Sequence, residues 1–293
     1  MMDRKTGTIM IVAAGILWGS MSIFVNALTA LGMTSMQISV SRSLFAPFLL
    51  IPILYKMDKK LIAIAPRDWY YFLGTGIFSL LFFNWCYFNA IKASSASVAA
   101  VLLYTAPIFV VLMSAALFGE KLTKKKLAAL AVTFIGCVLV SGVLSQSQSI
   151  GTKALLMGLG SGFGYSLYSI FGRYALAKYH SLTVTLYTIM FCAVGSLILS
   201  AAETGVLLPA QLFTAKGLVI AVLMSVVTCA APYVLYTSGL RHVESGRASI
   251  YATVEPAVAT IISVTVFSEQ LTLTKISGML MILLSVVILA KEK

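Results

Sequence analysis

Two stretches of this chain repeat one pattern: ASVAAVLLYTAPIFVVLMSAALFGEKLTKKK at 96–126 and SGRASIYATVEPAVATIISVTVFSEQLTLTK at 245–275. A shift of 149 residues aligns them without a gap, and eight positions are then identical. The identical positions include Pro107 with Pro256 and an F-x-E-x-L-T turn, at 118–123 and again at 267–272. Shared apolar character alone does not bring a proline and a polar turn into register. We therefore interpret the match as an internal duplication.

Composition predicts a membrane environment for this repeat. Of the 293 residues, 60% are hydrophobic and 10% are charged, whereas a typical soluble domain carries about 25% charged residues. Several long segments lack any Asp, Glu, Lys or Arg, and roughly 20 apolar residues suffice to span a bilayer. These segments predict ten helices, at 7–29, 34–55, 69–91, 95–118, 125–144, 153–176, 181–202, 214–239, 246–268 and 272–290.

The duplicated unit contains five predicted helices, first in residues 1–146 and again in 147–293. An odd number of spans forces the second copy to cross the membrane in the opposite direction. The predicted fold is an all-α integral membrane protein of ten transmembrane helices, arranged as two inverted five-helix repeats. Inverted repeats are typical of secondary transporters, whose substrate site lies near the bilayer midplane between the halves.

The basic residues are unevenly shared between the predicted loops. With a cytoplasmic N-terminus, 16 of the 21 Lys and Arg residues, including Lys293, fall on the cytoplasmic side, and four fall outside. Cytoplasmic loops of membrane proteins carry such an excess. We therefore expect a multi-pass protein of the plasma (inner) membrane with both termini in the cytoplasm. The net charge of +12 then needs no nucleic-acid partner.

The motifs resemble those of the drug/metabolite transporter (DMT) superfamily, in its EamA-type ten-helix branch. The resemblance covers nearly the whole chain and rests on Pro107 with F-G-E-K-L-T, Glu255-Pro256 with F-S-E-Q-L-T, Leu17-Trp18-Gly19 and Arg42. It implies transport of a small metabolite by alternating access, often outward. The expected substrate is an amino acid, an amine or a related amphipathic solute. A multidrug carrier, a sugar or carboxylate carrier and a membrane-embedded enzyme are the alternatives, although no nucleophile–base pair supports an enzyme.

Two charged residues are the main candidates for binding. Glu255 lies about ten residues into the ninth predicted helix, roughly 14 Å from its start at 1.5 Å per residue. A carboxyl at that depth costs about 2.5–3.5 kcal/mol unless it faces water, a partner or the bundle interior. Arg42 is the one basic residue clearly inside a predicted helix. Together they would bind the amine and the acid of a zwitterion. A purely structural role, buried or paired, is the alternative for each.

Aromatic and amide side chains complete the predicted site. Tyrosine suits an amphipathic ligand, because its ring packs and its hydroxyl forms hydrogen bonds. Ordinary packing and interfacial belts are the competing interpretation. Besides Glu255 and Arg42, the predicted substrate-binding residues are Trp18, Asn84, Tyr87, Tyr104, Tyr165, Tyr168, Tyr236 and Tyr251. Tyr251 precedes Glu255 by four residues, which places both on one face of a continuous helix.

Two prolines and two glutamates recur at equivalent positions of the repeat and are predicted to have conformational or structural roles. Pro107 and Pro256 are predicted to lie within helices and to free the carbonyls four residues earlier, as hinges or as static kinks. Glu120 and Glu269 follow helices four and nine and are expected to be hydrogen-bond partners of helix ends or loops, not substrate ligands.

No cofactor or metal site is expected. The four cysteines lie in apolar segments without a CxxC neighbour. The expected partners are the lipid bilayer and a small-molecule substrate, with proton coupling conceivable through Glu255 and a monomeric or homodimeric state.

Overall fold

The computed structural model describes residues 3–145 and 150–291 and is all-helical over these ranges. The expected boundary between the halves, at 146/147, and Lys293 lie outside the described residues. Ten helical rods follow one another: α1 Arg4–Thr29, α2 Ser35–Met57, α3 Pro66–Ala93, α4 Ala96–Phe118, α5 Lys124–Ser141, α6 Thr152–Leu176, α7 Ser181–Thr204, α8 Ala215–Leu240, α9 Ser245–Phe267 and α10 Leu273–Ala290. Short 3₁₀ turns lie at Lys59–Ile62, Pro66–Asp68, Val143–Ser145 and Ala210–Phe213.

In the described part of the chain, nine of these rods are long and apolar enough to cross a membrane by length and composition. The remaining rod, α5, has 18 residues, the same length as α10, but begins with three lysines. The predicted helices agree with the observed rods to within a few residues. The chain is therefore a multi-pass membrane protein with the predicted all-α architecture.

The two halves repeat each other helix by helix. A shift of 149 residues superimposes the bounds of α5 on those of α10. It does the same for both pieces of α4 and α9, which are interrupted at matching places. Ala96–Leu103 (α4a) corresponds to Ser245–Ala252 (α9a), and Ala106–Phe118 (α4b) to Glu255–Phe267 (α9b). In packing, α1 lies against the end of α8, and α6 lies correspondingly against the end of α3.

The interruptions correct the prediction of mid-helix prolines. Pro107 and Pro256 are the second residues of α4b and α9b, so each begins a new helical piece. Proline is tolerated in the first helical turn because its missing N–H has no acceptor there. The chain therefore ends one helical piece before the proline and starts another, instead of continuing with a kink.

Small residues allow neighbouring rods to approach these interruptions. A Cβ added at Gly15 of α1 would lie 2.7 Å from the carbonyl oxygen of Ala252, and one at Gly19 would lie 2.8 Å from that of Glu255. In the other half, a Cβ at Gly162 of α6 would lie 2.9 Å from the carbonyl oxygen of Leu102. The breaks in α4 and α9 thus pack directly on the backbone of α6 and α1.

Two rods contain π-helical segments at related places, Gly74–Leu81 in α3 and Ser225–Ala230 in α8. π-Helical turns shift the hydrogen-bond pattern and are frequent at functional sites. Shorter breaks divide α1 after Gly19 and α2 after Leu44.

Candidate functional site

A cavity of about 500 Å³ lies between the two halves. Its mouth is formed by the beginnings of α2, α4 and α10, where Ser35, Ala96 and Lys275 line it. Glu255, at the interruption of α9, lines the cavity deep between the halves. We call the side of the bundle at which the cavity opens the opposite face. The other side, which carries Lys121 in the turn between α4 and α5 and Lys124, Lys125 and Lys126 at the start of α5, is the basic face.

Glu255 is the first residue of α9b and lines the cavity. Over the described ranges its carboxylate has neither a hydrogen bond nor an ion pair. The corresponding residue in the first half is Ala106, which is buried. A carboxyl group therefore lines the cavity from the second half, and the matching position of the first half has none.

Arg42, on α2, is held at the cavity wall by the π-helical segment of α8. Its Nε and Nη2 both donate to the carbonyl oxygen of Thr228, at 3.2 and 3.0 Å. Its guanidinium carbon lies 5.7 Å from the ring centre of Tyr233. Arg42 lines the cavity but forms no ion pair with Glu255. Among the described residues, its Nη1 has no hydrogen-bond acceptor.

Four of the predicted polar and aromatic residues line the same cavity: Trp18, Asn84, Tyr87 and Tyr104. Within the part of the chain that the structure describes, the side chains of Asn84, Tyr87 and Tyr104 form no hydrogen bond. The Trp18 Nε1 atom is buried and also lacks a partner there. The cavity wall thus offers hydrogen-bonding groups that the protein itself leaves unused.

The remaining four predicted site tyrosines lie outside this cavity. Tyr165 packs behind Trp18, with ring centres 6.4 Å apart. Tyr168 and Tyr236 are buried and engage Thr237 and Ser169 through their hydroxyls. Tyr251 is 1% exposed and belongs to the main apolar core. Because α9 is interrupted between Tyr251 and Glu255, the four-residue spacing no longer places the two on one face.

Other lining residues were not predicted. Ser22, Ser39 and Thr260 line the cavity, as do Glu269 and Lys275 near its mouth. The serines and threonine carry no distinguishing pattern in the sequence. The repeat identifies Glu269 in the sequence but predicts a helix-end role for it, because its position at the mouth depends on how the halves pack.

A cluster of charges closes the basic face. Glu120 accepts hydrogen bonds from the backbone amides of Ser245 and Gly246, at 2.7 and 3.0 Å. Lys126, 1% exposed, lies 3.6 Å from Glu120 and 2.9 Å from Glu244. Burial raises the pKa of the Glu244 carboxyl, but hydrogen bonds from Lys126 and Arg247 outweigh it and leave that pKa below its usual range. Glu120 is thus a helix-end hydrogen-bond partner, as expected.

The fold and the cavity define a class: a membrane protein of two matching five-helix halves with a cavity between them that opens to one face and is lined by both apolar and polar residues. The EamA-like transporter family model matches residues 5–142 and again 152–291. The chain belongs to this family, in agreement with the resemblance of its motifs, and is a membrane transporter.

Similar proteins carry transporter names. An uncharacterized transporter of Archaeoglobus fulgidus is 29% identical over 98% of this chain and 97% of its own. The uncharacterized inner membrane transporter YicL of Salmonella typhimurium is 25% identical over 99% of this chain and 97% of its own. A protein of known crystal structure shares the fold with a TM-score of 0.82 at 17% identity, over 98% of this chain and 96% of that one.

Proposed function

We propose that this protein is a secondary transporter that carries a small zwitterionic solute, with amino acids as the first candidates, by alternating access. One observation carries the proposal: Glu255 and Arg42 line the same cavity and are not paired with each other. An uncompensated charge inside a membrane protein is costly. A solute with an ammonium for Glu255 and a carboxylate for Arg42 would remove both costs.

The size and lining of the cavity agree with a small amphipathic solute. A volume of about 500 Å³ lies within the range of roughly 300–1,000 Å³ typical of small-molecule sites. Tyr87 and Tyr104 offer ring faces and hydroxyls, and Asn84 offers an amide. An apolar solute side chain would pack on the rings while its charged ends reach Arg42 and Glu255.

The basic face supports an assignment of the membrane orientation. Lys and Arg are concentrated in cytoplasmic loops, so we place the basic face and both termini in the cytoplasm. The cavity then opens to the outside of the cell membrane. The proposed direction is export, which follows from the resemblance of the motifs.

We further propose that Glu255 couples transport to protons. The carboxyl would hold a proton on the return step and release it when a substrate ammonium binds. The charged and polar side chains that line the cavity around it include Arg42, Tyr87 and Tyr104. Substrate efflux would then be accompanied by proton entry.

The experiment begins with purified protein and a thermal-shift screen of the twenty amino acids, simple amines, sugars, carboxylates and lipophilic cations. Each solute that stabilises the protein is then tested for counterflow in proteoliposomes, with and without a pH gradient. Saturable counterflow of an amino acid supports the proposal. Selective counterflow of lipophilic cations, sugars or simple carboxylates would replace the proposed substrate, and product formation without flux would indicate an enzyme.

A further inference from the structure

The residues that close the basic face have counterparts in the other half of the repeat. These counterparts lie at the mouth of the cavity. Under the shift of 149 residues, Glu269 corresponds to Glu120, and Ala96 and Ser97 correspond to Ser245 and Gly246. Lys275 corresponds to Lys126 in the same way. All four residues of this second set line the cavity.

The two sets differ in their contacts. On the basic face, Glu120 is docked on the first two amides of α9a. On the opposite face, Glu269 binds Lys275 at 3.0 Å, and over the described ranges the amides of Ala96 and Ser97 donate to no acceptor. The first amides of a helix have no acceptor within the helix, and a carboxylate is the strongest partner for them. The second set therefore contains the corresponding residues, but its carboxylate is not docked on the helix amides.

We propose that Glu120 and Glu269 are alternating latches, one for each face of the transporter; this inference rests on the alternating access proposed above. In the state seen here Glu120 is docked and Glu269 is not. In the other state Glu269 docks on the amides of Ala96 and Ser97 and closes the mouth, while Glu120 leaves Ser245 and Gly246. Lys275 then stands beside the docked carboxylate, as Lys126 does now.

The two latches are unequal, which determines the resting state. Glu244 pairs with Lys126 at 2.9 Å and with Arg247 at 3.1 Å. The repeat has Ser95 in place of Glu244 and Val98 in place of Arg247. The opposite-face latch lacks this second carboxylate and its arginine. The ligand-free protein therefore rests with the basic face closed and the mouth open.

The test measures distances across both faces without any ligand. Spin labels are attached at Lys92 and Gln270 on the opposite face, or at Arg241 and Lys121 on the basic face, in a background without the four native cysteines. The two pairs are related by the repeat, and all four side chains are exposed. Distances are compared by double electron–electron resonance for wild type, Glu120→Gln, Glu120→Gln/Glu269→Gln and the exposed control Asp58→Asn.

We expect Glu120→Gln to open the basic face and to close the opposite face. Glu120→Gln loses charge-assisted hydrogen bonds, so the short-distance fraction of the Lys92–Gln270 pair rises roughly tenfold while the Arg241–Lys121 distance lengthens. Adding Glu269→Gln removes that gain, and Asp58→Asn matches wild type. If Glu120→Gln does not fold, Glu244→Gln with and without Glu269→Gln repeats the comparison, because Glu244 is 42% exposed.

Two contrary results have different meanings. The latch is wrong if Glu120→Gln matches wild type at both pairs, or if the double variant matches Glu120→Gln, while a wild-type distance distribution still shows two states. If both pairs keep one fixed distance in every variant, alternating access and the latch fail together.

Discussion

Arg42 donates from both Nε and Nη2 to one acceptor, the carbonyl oxygen of Thr228, across the interface between α2 and α8. The acceptor lies in the π-helical segment Ser225–Ala230. The buried Thr228 carbonyl thereby accepts two hydrogen bonds, and the positive charge of Arg42 is not cancelled. The charge stays available at the cavity wall, which distinguishes Arg42 from an arginine in an ordinary ion pair.

Replacement of Arg42 separates its structural and binding roles. Arg42→Lys keeps the charge but cannot reproduce two donors in one plane, so we expect retained transport with reduced thermal stability. Arg42→Gln loses the charge and should weaken binding of the proposed amino-acid substrate by about 10- to 100-fold, the value of one hydrogen bond to a charged group. Equilibrium binding and thermal unfolding are measured on the same preparations. Equal binding by Arg42→Gln and wild type would remove Arg42 from the site.

The hydroxyls of Tyr87 and Tyr104 should contribute individually. Both residues line the cavity without a hydrogen-bond partner in the described chain. Tyr87→Phe and Tyr104→Phe keep the ring and should each raise the half-saturating substrate concentration by about 2- to 10-fold, as for a neutral hydrogen bond. Counterflow kinetics measure this effect, and Tyr70→Phe, on an exposed residue, is the control. Unchanged kinetics in both variants would show that the substrate does not contact these hydroxyls.

Gly15 should not tolerate a side chain. A Cβ there would lie 2.6 Å from Val254 Cγ1 and 2.7 Å from the Ala252 carbonyl oxygen, at the interruption of α9. Gly15→Ala should destabilise the protein by about 1–3 kcal/mol through overpacking and slow transport. Thermal unfolding and counterflow test this. Gly151→Ala is the matched control, because among the described residues no heavy atom apart from its chain neighbours lies within 4 Å of its added Cβ. Wild-type behaviour of Gly15→Ala would show that the α1–α9 contact is loose.

The two latch lysines should differ in their contribution to stability. Lys126 is 1% exposed and Lys275 is 19% exposed. Lys126→Met removes the buried positive charge beside Glu120 and Glu244 and should lower the free energy of unfolding by about 2 kcal/mol. The loss is smaller than for a fully buried pair because Glu244 is 42% exposed. Lys275→Met should lower it by less than about 1 kcal/mol. Thermal unfolding of both variants measures the two losses of stability. An equal loss in Lys126→Met and Lys275→Met would contradict the proposal that the latches are unequal.

The sequence allowed the ten rods and their pairing to be predicted because both depend on patterns along the chain. Charge-free segments set the lengths of the rods, and the F-x-E-x-L-T turns set the register of the repeat. The interruptions of α4 and α9 were missed. Pro107 and Pro256 signal a disturbance, but its form depends on the glycines of α1 and α6 that pack against the exposed backbone.

The candidate site was predictable where chemistry is unusual for a membrane segment. Glu255 and Arg42 stand out as charges in apolar runs, and both line the cavity. Tyrosines do not stand out in this way, since Tyr251 fills the core while Tyr104 faces the cavity. The Thr228 carbonyl could not be predicted as the partner of Arg42, because a π-helical turn has no signature in the side chains.

The central claim is that Glu255 binds the substrate amine while Arg42 binds its carboxylate. The most direct measurement is counterflow of leucine, or of the amino acid found in the screen, together with its decarboxylated amine and its deaminated acid as competitors. Wild type should prefer the amino acid over both competitors, Glu255→Gln should lose this preference over the acid, and Asp58→Asn should behave as wild type. Equal amino-acid counterflow by Glu255→Gln and wild type would contradict the claim.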